Sequence, residues 1–522
     1  MNVFGRRARV PGATALATVW MIWTRGAAFG QTTDAGTTVI SMTVHPLARL
    51  SSQIEAIAVR AELSGSLPRP QQFSVRAPIV YAGISEIADR VDSFVMTDAS
   101  GAVPVSILDE PERGGGLPFY RHWRANRPVV PPVVLTYRMR PFTGTPGSGP
   151  EFDFYAHGGG MSAAGMALFL VPDYVANATT RVRWDLSDLS ASAIAASTYG
   201  EGDFEITGHP DLLLQSYYMV GPLGRYIPPI PSSGFRAYWL GQPPFDPRRE
   251  MEWTYQAYEY LRRFYRDTQG SPYRVFIRAL PGASGTLGGT AMQNSFMVGT
   301  SSGPITSSAT GPRNTIVHEM GHMWIGSLDG DRTGSATWFS EGLNEHYTRL
   351  LLLRSGLAPV ADYEEEINGS AAGYFASPYR NAPADAIARL GFSTGMGLGS
   401  AQNLPYVRGS LYFATIDAKI RTVSGGRKTL DDLVLPLLER RRNGEPIDQA
   451  AFVDALVREL GPNARYEFES VIVRGEPLDP PSGAFGPCFD KQPTTFTLNG
   501  RQSNGFAWVR NGGMSDAQCR AW

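Results

Sequence analysis

The chain has 522 residues, of which 43% are hydrophobic and 18% charged, and its formal net charge is −1. That length exceeds what one hydrophobic core serves and implies two to four domains of an ordered, globular kind. The near-zero charge, with no long basic stripe, excludes the electrostatic footprint of a nucleic-acid-binding protein.

Arg6, Arg7 and Arg9 precede an uncharged segment from Val10 to Trp23, and Gly26, Ala27, Ala28 and Gly30 follow it. Residues 1–30 therefore read as a secretory signal peptide. The apolar run is short of the ~20 residues that span a bilayer. The mature chain is expected to be exported, periplasmic or extracellular, with no membrane segment after cleavage.

Residues 31–245 are predicted to form an N-terminal β-rich, β-sandwich-like domain. Val39–Val44, Ala56–Leu63, Pro132–Met139 and Thr180–Trp184 are short, β-rich stretches bounded by turn residues. Prolines at 228, 229, 231, 243, 244 and 247 mark the boundary. Residues 246–462 are predicted to be mainly helical. The expected helices run over 249–268, 314–326, 338–355, 406–421, 430–441 and 449–460. A strand is expected at 273–280, followed by a glycine-rich loop at 282–289. Residues 463–522 return to short strands and turns. They carry both cysteines, Cys488 and Cys519. Export would allow these to pair, and closing a loop of about 30 residues is worth roughly 3–4 kcal/mol.

The chemistry is concentrated in His318-Glu319-Met320-Gly321-His322. Residues four apart share a helix face, so two imidazoles at this spacing can reach one zinc ion. Glu319, one step round the helix, can instead act as general base on a water acidified by the metal. The apolar flanks Ile316, Val317, Met323, Trp324 and Ile325 imply burial, and buried imidazoles need partners. A third ligand is expected from Glu341, with eighteen residues between it and His322. Glu345, one turn later, could hold a ligating histidine by a hydrogen bond. His45, His122, His157, His209 and His346 match no ligand spacing and read as structural or surface residues.

This two-helix pattern resembles the gluzincin metallopeptidases, in particular the aminopeptidase N family, with its leukotriene hydrolases, and the glycyl aminopeptidase family. The resemblance spans about residues 251–478. Thr290-Ala291-Met292-Gln293-Asn294 occupies the place of a Gly-Ala-Met-Glu-Asn strand, and Tyr406-Val407-Arg408-Gly409 that of a Tyr-x-Lys-Gly helix start. The resemblance implies an α+β multidomain protein with a thermolysin-like catalytic domain that contains a small sheet. It also implies one zinc ion per chain on His318, His322 and Glu341, with Glu319 and Tyr406 as catalytic residues. Ala291, Met292, Gln293 and Asn294 would then bind a peptide substrate by strand addition. The family's glutamate in that strand binds the substrate's α-amine. Gln293 offers no ion pair there, which leaves exopeptidase and endopeptidase action both open. Two other readings are a zinc-containing peptide-binding protein without turnover and a zinc hydrolase of a non-peptide substrate.

Overall fold

The computed structural model describes residues 38–522 except 49–52, 114–116, 148, 230–233, 269, 306–309, 332, 391–398 and 499–500. The expected signal segment lies outside the described residues.

The N-terminal region is built of three sheets of seven, five and four strands. Thr38–Ala48 shows how the sequence specifies them: its inward residues alternate with more exposed ones, the period of a half-buried strand. It pairs antiparallel with Ile54–Ser64 and parallel with Ala178–Trp184. The apolar faces enclose a core that includes Val44, Val59, Val75, Leu135 and Phe169.

The next sheet begins at Gly224, ahead of the domain start expected at 246. Gly224–Tyr226 and Phe235–Leu240 join Tyr273–Leu280, Ser295–Ser301 and Thr286–Met292 in one five-stranded sheet, in that order. The strands thus begin before the proline-rich stretch at 243–247, which instead leads into the helix Pro247–Phe264. Asp246 caps that helix by accepting hydrogen bonds from the Arg248 and Arg249 amides. The sheet is two-faced. Phe235, Val275, Ile277, Phe296 and Val298 pack toward the helices, whereas Tyr238, Phe276, Met297 and Met292 belong to the N-terminal core. Alternation along each strand therefore welds the two regions across a single layer.

The helices Thr337–Ser355, Leu404–Ser424, Leu430–Arg442 and Gln449–Leu460 lie where periodicity places them, whereas the one expected over 314–326 spans Arg313–Gly321 and stops short. The helix Val360–Phe375 was not foreseen. The expected loop at 282–289 is also corrected, because Thr286–Met292 is a strand at the edge of the sheet.

The C-terminal residues form a hairpin of two ten-residue strands, Phe489–Leu498 and Arg501–Arg510, and a short helix, Asp516–Arg520. Cys488 and Cys519 are joined, with an S–S distance of 2.10 Å. Among the described residues, no helix is long and apolar enough to cross a membrane.

Candidate metal centre and cleft

His318 lies in the last turn of the helix Arg313–Gly321, and His322 is the residue that ends it. Ile316, Val317 and Met320 bury the other side of this helix and fix its rotation. The Asn344 side-chain amide donates to the His318 carbonyl at 2.6 Å and ties the helix to Thr337–Ser355, which carries Glu341. The result is a triangle of donor atoms. His318 Nε2 is 3.2 Å from His322 Nε2 and 3.2 Å from Glu341 Oε2, and His322 Nε2 is 3.3 Å from that same oxygen. Tetrahedral ligands 2.0–2.1 Å from a zinc ion stand about 3.3 Å apart, so the triangle has the edge length that such an ion requires. Two imidazoles and a carboxylate are also an appropriate donor set for it.

The electrostatics follow from burial and from these neighbours. Burial works to raise the Glu341 carboxyl, but His322 and His318 more than offset it and hold it at about 2. Burial opposes a charge on His322, and Glu341 reverses that, raising it to about 9. Glu319 responds differently. It is fully buried, and burial lifts its carboxyl to about 7 against the lowering effect of the two histidines. No side chain bonds its carboxylate oxygens, and the Ala291 amide favours its charged form as the least of these influences. A buried carboxylate with no side-chain partner beside an imidazole pair is costly for stability and apt for proton transfer.

Tyr406, in the first turn of Leu404–Ser424, stacks its ring on His318 with centroids 5.8 Å apart. It is brought there by a close helix crossing. A Cβ on Gly342 would lie 2.4 Å from the Gly409 Cα, and one on Gly409 would lie 2.4 Å from the Trp338 carbonyl. Only hydrogen at both positions allows the Glu341 and Tyr406 helices to touch at the backbone.

Glu345 does not make the expected hydrogen bond. Its carboxylate is 3.9 Å from His318 Nδ1, because Arg349, one turn further on, draws it away at 3.1 Å. The other histidines stand apart from the triad. His45 and His209 sit beside aspartates, His122 lies between Asp173 and Glu110, His157 bonds Ser162, and His346 is buried against Tyr347.

The strand that meets the centre is Thr286–Met292, but the contact falls at Gly289. A Cβ there would lie 2.6 Å from Glu319 Cγ and 2.9 Å from Thr315 Cγ2. Alternation puts Ala291 on the same face, in the helical core, and sends Thr290 and Met292 the other way. Thr290 Oγ1 accepts the Glu151 amide at 2.9 Å, and Met292 packs in the N-terminal core. Gln293 is exposed in the turn that follows, and Asn294 has φ 52°. Of the four residues expected to bind substrate, Ala291 alone faces the helices. Gly288 and Gly289, which read as loop from the sequence, are the residues missed. The doubled glycine just ahead of Thr290 was the available signal.

His318, Glu345 and Arg349 line one part of a cleft of about 570 Å³. Arg313, Asn314 and Thr286 line it beside the metal-motif helix, and the helix Val360–Phe375 lines it opposite. Its size is that of a small-ligand or peptide site.

No family model matches the chain, and no curated protein matches it in sequence. Among solved structures it is similar to an aminopeptidase N family protein from Idiomarina loihiensis. The identity is 14% and the TM-score 0.70, over 87% of this chain and 79% of that one. It also matches an M1 zinc metallopeptidase from Deinococcus radiodurans, at 18% identity and a TM-score of 0.49, over 86% and 95% of the two chains. Yeast LTA4 hydrolase in complex with bestatin gives 12% identity and 0.49, over 86% and 70%. The fold is thus that of the Idiomarina aminopeptidase N family protein.

Proposed function

We propose that this protein is an exported, zinc-dependent hydrolase of peptide bonds, aminopeptidase-like in its catalytic machinery. The observation that carries the reading is the equilateral donor triangle of His318, His322 and Glu341 beside Glu319, whose oxygens no side chain bonds. A zinc ion held by those three residues would supply Lewis acidity, polarising a carbonyl and acidifying a water molecule. Glu319 then accepts the water's proton as its oxygen adds to the carbonyl, and returns it to the departing amine. The Tyr406 hydroxyl donates a hydrogen bond to the oxyanion that forms. The strand Thr286–Met292 lies at the edge of its sheet, where an extended substrate would add as a further strand beside Glu319. The disulfide suits an oxidising compartment outside the cytoplasm.

The exposed turn position of Gln293 supports no ionic anchor for a free α-amine, so blocked and internal peptides are included among the proposed substrates. The test uses the mature protein with its zinc content measured. It is incubated with a peptide library carrying matched free and acetylated N-termini, and the products are read by mass spectrometry. Cleavage of both sets is the expected result. Single residues released only from free termini would restrict the activity to an aminopeptidase. No cleavage by zinc-loaded protein would overturn the reading.

A further inference from the structure

The part of the cleft away from the metal is closed by a segment far off in the chain. Phe496 and Thr497, on the first strand of the C-terminal hairpin, line the same cleft as His318. The hairpin is held in place by several independent contacts. Asn368 makes two hydrogen bonds of 2.8 Å to the Trp508 backbone, and Glu364 accepts the Arg510 amide at 3.1 Å. Phe496 lies parallel to Phe375 with centroids 6.2 Å apart, and the disulfide fastens the hairpin's base to the last helix. Ser370, Ala372 and Gly373 of the facing helix, with Ala376 just past its end, form the floor opposite, while Asp362, Glu365 and Glu366 of the same helix line the cleft as well. Ser370 is 2% exposed, and its hydroxyl has no hydrogen-bond partner. An apolar wall over a floor of small residues, with one buried and unsatisfied hydroxyl, is half of a binding site.

We infer that the disulfide-stapled hairpin is a specificity element. Phe496 and Thr497, with the small face of the helix Val360–Phe375, form a subsite for an uncharged apolar side chain of the substrate, remote from the cleaved bond. The occupant's identity as a peptide rests on the hydrolase reading, whereas the subsite's shape and polarity do not. A buried aromatic wall discriminates between apolar side chains by about 10–200-fold, the range set by one or two methylenes in a hydrophobic pocket.

The experiment compares the full chain with its Phe496→Ala and Thr497→Trp variants, after confirming the disulfide, the zinc content and the melting temperature of each. Peptides varied at positions remote from the cleaved bond are ranked by kcat/KM. The same peptides, fluorescently labelled, are titrated by anisotropy against each chain carrying Glu319→Gln, so that binding is read without turnover. The wild-type chain is expected to prefer an apolar residue at one remote position. Phe496→Ala flattens that preference by tenfold or more, chiefly through KM, and Thr497→Trp shifts it to smaller side chains. Unchanged profiles in cleavage and binding would overturn the inference and leave the hydrolase reading standing. No cleavage, but apolar-selective binding that Phe496→Ala abolishes, would overturn the hydrolase reading and uphold the subsite. No peptide binding at all would remove both.

Discussion

The two faces of the five-stranded sheet treat a buried glutamate in opposite ways. On the face toward the N-terminal region, Glu151 is 1% exposed and receives Arg278 Nε at 2.5 Å, while Arg278 Nη1 donates to the Asp153 carbonyl at 2.8 Å. The Tyr155 ring covers the guanidinium at 4.6 Å. On the helical face, Glu319 is equally buried, and no side chain bonds its oxygens. Each carboxylate reaches the sheet at a glycine. A Cβ on Gly299 would lie 2.4 Å from Glu151 Oε1, and one on Gly289 would lie 2.6 Å from Glu319 Cγ. Similar backbone openings thus serve two purposes. A carboxylate with its lone pairs engaged joins two parts of a fold, whereas one that no side chain engages is available to take a proton.

The largest effect that separates the two is Glu319→Gln. It removes the proton acceptor while keeping the shape. Turnover is expected to fall by about 10²–10⁴-fold with metal content unchanged, as read by assay and elemental analysis. Its stability should hold or rise, since a neutral amide is cheaper to bury than a carboxylate with no side-chain partner. Full turnover would end the assignment of Glu319 as base. Arg278→Ala is the mirror experiment. It strands Glu151 and should cost about 3–5 kcal/mol in denaturant unfolding, at the lower end because burial already pushes the Glu151 carboxyl up and protonation can relieve the charge. Metal content in the folded fraction should not change. A loss under about 1 kcal/mol would mean that apolar packing across the sheet, and not this ion pair, joins the regions.

Gly289→Ala probes the opening itself. The added methyl collides with Glu319 Cγ and Thr315 Cγ2, so the base shifts by a fraction of an ångström to about 1 Å. Misplacement on that scale costs about 10²-fold in kcat/KM. The candidate ligands His318, His322 and Glu341 lie on the helices or at their ends, so metal content is expected to stay unchanged. Activity within twofold of wild type would show that the strand can retreat and that the close approach does not position Glu319.

The sequence already carried the metal ligands, because their geometry is local: four residues on one helix face, and a second helix long enough to show its own period. The same holds for the strand at 273–280 and for the disulfide, where two cysteines leave one pairing. Three parts were not legible. The helix Val360–Phe375 contains Asn368-Gly369-Ser370 and Gly373, which lower its intrinsic helicity. Packing against the hairpin compensates, and packing is not visible in a local window. Gly288 and Gly289 read as loop because glycine is poor in strands, yet the close approach of Glu319 requires the lack of a side chain at Gly289, and Gly288 has φ 135°. The motif at 290–294 falls on the end of the edge strand and the turn after it, and its facing depends on strand register. One position along that strand decides whether a residue meets the metal centre or the N-terminal core.

The smallest effect concerns a polar network far from the sheet. His122 donates toward Asp173 at 2.8 Å and stands 3.2 Å from Glu110, while Asp173 also receives Ser74 at 2.5 Å and Arg76 at 2.9 Å. The hydrogen bond to Asp173 raises His122 above its ordinary 6.5 against partial burial. Burial works to raise Asp173, but His122, Ser74 and Arg76 hold it below 3.8. The signs follow from linkage. Because the folded His122 pKa is raised, its contribution is complete below 6.5 and fades as pH rises through the folded value. Because the folded Asp173 pKa is lowered, its contribution is complete above 3.8 and fades as pH falls. The network therefore contributes most in the window between the two. Its partial exposure keeps the His122 share to about 0.2–1 kcal/mol. The melting temperature of His122→Gln should fall below wild type by the largest margin near about pH 5, with the gap closing toward about pH 8 as the imidazole loses its charge. A gap that is constant with pH would mean that His122 contributes through packing and neutral hydrogen bonds.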